Sequence, residues 1–298
     1  LFLILSTGSL EMLAKSMLII FLGLFLSGPA FGTQYWPTME WRTSSPKSQG
    51  FDSRSISEMF EFMQKKQFPI DSVVIVKNGY LIGEFYSSNT NEETISNIYS
   101  VTKSLTSALV GIAIDKGHIK SEKQTLGSIF SRNNVIKNNP KLKDIRVQNL
   151  LTMTSGLKTR DNHLSNYAGV FALRNSTNWV DYIFSLGTEE KQGQYYNYSN
   201  GGSHILSAIL FEIAKVPVEK YAERYLFSHI GIKNYKWEKD PQGINHGYSN
   251  LELSARDMAK LGLLYLNKGQ WDKKQIISSS WIEKSLETHP YPNKERFN

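Results

Sequence analysis

The sequence has no cysteine among its 298 residues. That excludes disulfides, a cysteine nucleophile, a thiolate metal centre and a lipid anchor on cysteine, and it suits an exported chain that avoids oxidative pairing. The H-E-x-x-H and G-x-S-x-G patterns are absent as well, and the six histidines are dispersed. A metal-dependent hydrolase and a nucleophile-elbow α/β-hydrolase are therefore disfavoured, and His163 and His204 read as solvent-facing or packed side chains. The net charge is +7, yet no long basic run or aromatic-interleaved ladder accompanies it. Scattered pairs such as Lys65-Lys66 and Lys273-Lys274 read as a solvated surface, with no nucleic-acid partner. Internal repeats and low-complexity linkers are also missing.

No stretch promises a permanent membrane span. The apolar run Met17 to Leu26 is too short to cross a bilayer. Lys15 precedes it and the small residues of Ala30-Phe31-Gly32 follow, the layout of a cleaved export signal over residues 1–32. The expected destination is the periplasm or the exterior, and residues 33–298 are read as one domain. A hydrophobic content of 40% and an aromatic content of 12% can bury a substantial core.

Within that domain the polar stretch 33–50 reads as irregular. Ile56, Met59, Phe60 and Met63 then recur at helical spacing behind Asp52 and Ser53 as candidate caps. Ser72 to Val76 and Tyr80 to Tyr86 flank Asn78-Gly79, a strong hairpin signal. From Ile119 onward the middle of the chain reads as mostly helical, and a late helix is expected over 254–267 with Ser254 as its cap.

The segment with chemistry in it is Ser100-Val101-Thr102-Lys103. Leu105, Ala108, Leu109, Ile112 and Ala113 follow at three- and four-residue steps, and Gly117 closes the run, predicting a buried helix over 100–117. Positions i and i+3 share a helix face, so the Lys103 amine can reach the Ser100 hydroxyl. The helix N-terminus favours the anion formed when such a serine attacks a carbonyl. The same S-x-x-K spacing occurs at Ser44/Lys47 and Ser155/Lys158. Pro46 follows the first in a polar stretch and Gly156 follows the second, so neither begins a helix.

The hairpin, Ser100-Val101-Thr102-Lys103, Leu150-Leu151-Thr152-Met153-Thr154-Ser155-Gly156-Leu157, Tyr198-Ser199-Asn200-Gly201-Gly202 and Leu253-Ser254-Ala255-Arg256-Asp257-Met258-Ala259 together resemble the serine β-lactamase and penicillin-binding superfamily. The similarity is to its class C β-lactamase-like branch, with esterases and 6-aminohexanoate-dimer hydrolases. The resemblance implies an α/β fold of the α+β type: an antiparallel sheet flanked by helices, plus a mostly helical subdomain. It further implies a serine hydrolase of ester or amide bonds working through an acyl-enzyme on Ser100, without a cofactor. The alternative is a penicillin- or peptidoglycan-binding protein that acylates without efficient turnover. Partners would be a small-molecule ester or amide, or a peptidoglycan-like substrate.

In this branch a Y-x-N element supplies the third catalytic group, and Tyr195, Tyr198, Tyr248, Tyr265 and Tyr291 each begin one here. Tyr198 is preferred because Gly201-Gly202 and an apolar helix follow it; Tyr195 is the runner-up. By resemblance the Tyr198 phenol relays a proton to the leaving group, and the Asn200 amide holds the substrate. A third element, K-T-G or H-x-G on a core strand, is expected after the late helix. His229-Ile230-Gly231 precedes that helix and the sequence ends at Asn298. The resemblance therefore reads the domain as missing its C-terminal core strands.

Overall fold

The computed structural model describes residues 35–159 and 168–289. The expected export segment 1–32, His163 and Tyr291 lie outside the described residues. The first sheet is built from β1 (Arg42–Thr43), β2 (Ser72–Lys77) and β3 (Tyr80–Tyr86), in the order β1-β3-β2. β2 and β3 form the expected hairpin, and Asn78 and Gly79 both adopt positive φ, 51° and 80°, as a tight turn matched to strand twist demands. β1 joins β3 in parallel, so the polar stretch before residue 50 is not wholly irregular and the sheet is mixed. Helix α1 (Ser53–Lys65) covers this sheet. The Asp52 carboxylate caps it by accepting the N–H groups of Arg54 and Ser55. Phe60 of α1 stacks on Phe85 of β3, ring centroids 5.9 Å apart.

A second sheet positions the residues of interest. Its strands are β4 (Ile95–Asn97), β5 (Lys236–Trp237) and β6 (Leu251–Ser254), all antiparallel, with β6 central. β4 delivers the chain to Ser100 while β6 receives it from Tyr248. The Ile98 N–H donates to the Leu251 carbonyl at 2.9 Å and extends the pairing to that point. β6 runs directly into α12 (Ala255–Leu266), which Ser254 caps by accepting the Asp257 N–H. Arg256 of α12 grips Glu84 of β3 through two bonds of 2.8 Å, which tie the two sheets' regions together.

Between β4 and β6 the chain is mostly helical, as the middle region reads from sequence. α2 (Thr102–Asp115) is followed by the short helices α3 (Leu126–Ile129), α4 (Asn134–Lys137), α5 (Pro140–Lys143) and α6 (Val147–Leu151). Next come α7 (Ala168–Arg174), α8 (Trp179–Ser185), α9 (Asn200–Ala214), α10 (Val218–Ala222) and α11 (Ser228–Ile230). The small hairpin β7 (Gln270–Trp271) and β8 (Lys274–Gln275) precedes α13 (Ser279–Leu286). α2 and α9 share the centre of the core, where Leu109, Ile112, Ile205 and Ile209 are fully buried. His229-Ile230-Gly231 spans the end of α11 and not a strand.

The helix expected over 100–117 starts two residues late. Tyr99 to Val101 form a 3-10 turn, and α2 follows from Thr102. Tyr99 opens the turn with a left-handed φ of 46°, and the Asn97 side chain accepts its N–H at 2.8 Å. The Val101 and Thr102 N–H groups then bond the carbonyls three residues back, so this first turn is 3-10 and α2 begins after it.

Candidate active site

Ser100 lies on the 3-10 turn and Lys103 on the first turn of α2. Across the turn and the start of α2, residues three apart share a face, which brings the Lys103 amine over the serine. Lys103 Nζ donates to Ser100 Oγ at 3.1 Å and to the main-chain carbonyl of Tyr248 at 2.9 Å. The Tyr198 hydroxyl donates to the same Ser100 Oγ at 2.8 Å. The amine also sits 4.8 Å from the centre of the Tyr198 ring and 5.8 Å from that of Tyr248. Ser100 Oγ thus lies between an amine and a phenol, at hydrogen-bond distance from both.

The loop that presents Tyr198 is fixed by the Leu150 to Leu157 segment. The Met153 carbonyl accepts the Asn197 N–H and the Thr154 carbonyl accepts the Gly193 N–H, both at 2.8 Å. Met153 takes positive φ, 57°, where α6 ends, and turns these carbonyls toward the loop. Immediately after Tyr198, the Ser199 hydroxyl accepts the Gly202 N–H at 2.7 Å and starts α9. Asn200 is the first residue of that helix, two residues from Tyr198.

The other sequence candidates fall elsewhere. Ser155 is buried and its hydroxyl accepts the Leu157 N–H, while Ser44 accepts a bond from the Gln49 side chain outside any helix. Tyr265 sits within α12, where burial pushes its phenol up to about 12. His204 is fully buried and bonds Asp240 at 3.0 Å, so it is packed and not solvent-facing. Among the described residues, no group of three His, Cys, Asp or Glu side chains gathers to hold a metal ion. No described helix is long and apolar enough to cross a membrane.

Sequence reasoning missed the part played by Tyr248, which touches Lys103 through its backbone. Its neighbour Gly247 does the same one turn along α2, accepting the Thr106 hydroxyl at 3.0 Å. A main-chain acceptor leaves no signature in residue type, and Tyr248 was visible only as one of five Y-x-N tyrosines.

The sequence model of the beta-lactamase family matches residues 57–296. The chain belongs to that family. A curated relative, the 6-aminohexanoate-dimer hydrolase of Paenarthrobacter ureafaciens, is 18% identical over 235 residues, which cover 72% of this chain and 57% of the relative. A Bacillus anthracis structure provisionally named for the same hydrolase superposes with a TM-score of 0.65 at 24% identity, over 75% of this chain and 60% of its own. The hydrolase EstCE1, titled as having promiscuous acyltransferase activity, superposes at 0.62 with 14% identity, over 80% and 76%. At such identities the structural likeness shows the fold. The chain spans less than two thirds of the length of the first two relatives.

Proposed function

We propose that this family member is an exported serine hydrolase of ester or amide bonds, with Ser100 as its nucleophile. The observation that carries the reading is the double hydrogen bond to Ser100 Oγ, from Lys103 at 3.1 Å and Tyr198 at 2.8 Å. Attack forms a bond from Ser100 Oγ to the acyl carbon while the hydroxyl proton passes to the neutral Lys103 amine. Collapse breaks the bond to the leaving alcohol or amine, which takes a proton from Tyr198, itself reprotonated from Lys103. Water then attacks the acyl-enzyme, its proton returns through the same two groups, and the acid departs. Asn200, at the head of α9, is assigned to the substrate carbonyl or amide. Export rests on the signal-like segment 1–32.

Intact-protein mass spectrometry after exposure to a fluorophosphonate and, separately, to a penicillin tests this reading. A single adduct that disappears in Ser100→Ala is expected. A penicillin adduct that persists for hours would mark a binding protein without turnover, and an adduct retained in Ser100→Ala would place the nucleophile elsewhere.

A further inference from the structure

Four successive carbonyls before β6 each accept a bond from a different side chain. Asn245 takes the Ser207 hydroxyl of α9 at 2.6 Å, His246 the Trp237 indole of β5 at 2.8 Å, and Gly247 the Thr106 hydroxyl of α2 at 3.0 Å. Tyr248 takes the Lys103 amine at 2.9 Å. Gly247 is required for the approach, since a Cβ there would lie 2.2 Å from the Ser203 carbonyl. Three of these donors are pinned in the core. The fourth is the candidate base.

The side chains of the same segment form a buried stack. The rings of His246 and Tyr248, each 3% exposed, lie 5.4 Å apart and 8° from parallel. Trp179 of α8 packs beside both rings, 4.6 Å from His246 and 6.3 Å from Tyr248. His204 meets Trp179 edge-on at 5.1 Å, and its Nε2 bonds Asp240, with both side chains fully buried. Among the described residues neither nitrogen of His246 has a hydrogen-bond partner, and Glu238 stands 3.7 Å from Nδ1, beyond bonding distance. A buried imidazole without partners costs stability that an apolar side chain would not. What His246 supplies here is a flat face.

We propose that the His246–Tyr248 stack, backed by Trp179, is the positioning element of Lys103: it fixes where the Tyr248 carbonyl stands and so where the amine points. The inference rests on the reading of Lys103 as the base for Ser100. A carbonyl acceptor favours the charged amine, so its displacement lets Lys103 lose its proton at lower pH while the amine loses its aim at Ser100 Oγ.

The test compares His246→Leu, which keeps the volume without a flat face, with His246→Phe, which keeps the face without ring nitrogens. Each is assayed for melting temperature and for the rate of fluorophosphonate labelling at Ser100 against pH. His246→Leu is expected to lower the high-pH plateau about tenfold and move the midpoint to lower pH, with His246→Phe close to wild type. A Leu variant whose rate falls only with its folded fraction, at an unchanged midpoint, would overturn the positioning role, as would equal losses in Leu and Phe. If the wild type is not labelled at Ser100, the nucleophile reading fails and a second arm decides this inference alone. That arm is acylation of Lys103 by an amine-selective anhydride, followed by peptide mass spectrometry. Several-fold higher reactivity in His246→Leu than in the other two chains supports positioning, and equal reactivity in all three overturns it.

Discussion

The Ser100, Lys103 and Tyr198 cluster and the Trp179, His204, Asp240, His246 and Tyr248 cluster lie side by side and share one hydrogen bond, Lys103 to the Tyr248 carbonyl. In the first, Ser100 is exposed, Lys103 and Tyr198 are half-buried, and the amine and the phenol both point at Ser100 Oγ. The second is buried, and among the described residues the Trp179 indole, His204 Nδ1 and both His246 nitrogens have no hydrogen-bond partner. Reactive groups must meet a substrate and therefore cannot be packed from all sides. Their precision has to come from neighbours that are. The contrast suggests a division in which the buried cluster sets geometry and the open one carries chemistry.

The largest expected effect breaks the open side alone. Lys103→Ala should lower Ser100 labelling by about a hundred- to ten-thousandfold, the usual range for a positioned base, while the melting curve barely moves. Full labelling in that variant would contradict the assigned role. On the buried side, Trp179→Ala removes the ring that packs beside both His246 and Tyr248 and should cost about 3–5 kcal/mol in chemical denaturation. A cost below about 1 kcal/mol would mean that the stack packs more loosely than its distances imply.

pH separates the two clusters next. Burial foremost, then nearby His204, lowers the His246 pKa to about 4, with Arg174 adding to the shift while Glu238 and Asp240 oppose it. Because the folded value lies below the ordinary 6.5, the unfolded chain takes up a proton first as pH falls. Stability is then lost progressively between about pH 6.5 and 4, by roughly 3 kcal/mol in all. Denaturation midpoints measured across that window should show this slope in the wild type and lose most of it in His246→Phe. The Glu84 carboxyl, held low by its bond to Arg256, adds a separate loss at still lower pH.

The smallest change is at the seam. Thr106→Val removes the donor to the Gly247 carbonyl and should cost about 1–2 kcal/mol of stability. If the two clusters are coupled through residues 247 and 248, labelling of Ser100 should slow as well. A stability loss with an unchanged labelling rate would show that Gly247 can shift without moving Tyr248.

Residues close in sequence were legible because their geometry is set by local rules. The Asn78-Gly79 turn, the Asp52 and Ser254 caps and the Ser100 to Lys103 spacing each follow from bonds across two or three residues. The start of α2 was misread by two residues because the N–H groups of Val101 and Thr102 bond the Ile98 and Tyr99 carbonyls three residues back, a tighter turn that the apolar spacing does not encode.

By itself the sequence determined that a hydroxyl and an amine three residues apart would meet, that a hairpin would precede them, and that no cysteine could take part. It also singled out Tyr198 among five Y-x-N tyrosines, but only the tertiary structure brings that phenol to Ser100 and decided that an unremarkable backbone carbonyl would hold Lys103. The reason is range. Tyr198 and Tyr248 lie 98 and 145 residues from their partners, and they arrive because β4 pairs with β6 and α2 packs against α9. Those pairings are fixed by the burial of whole faces, which no short pattern of residues encodes.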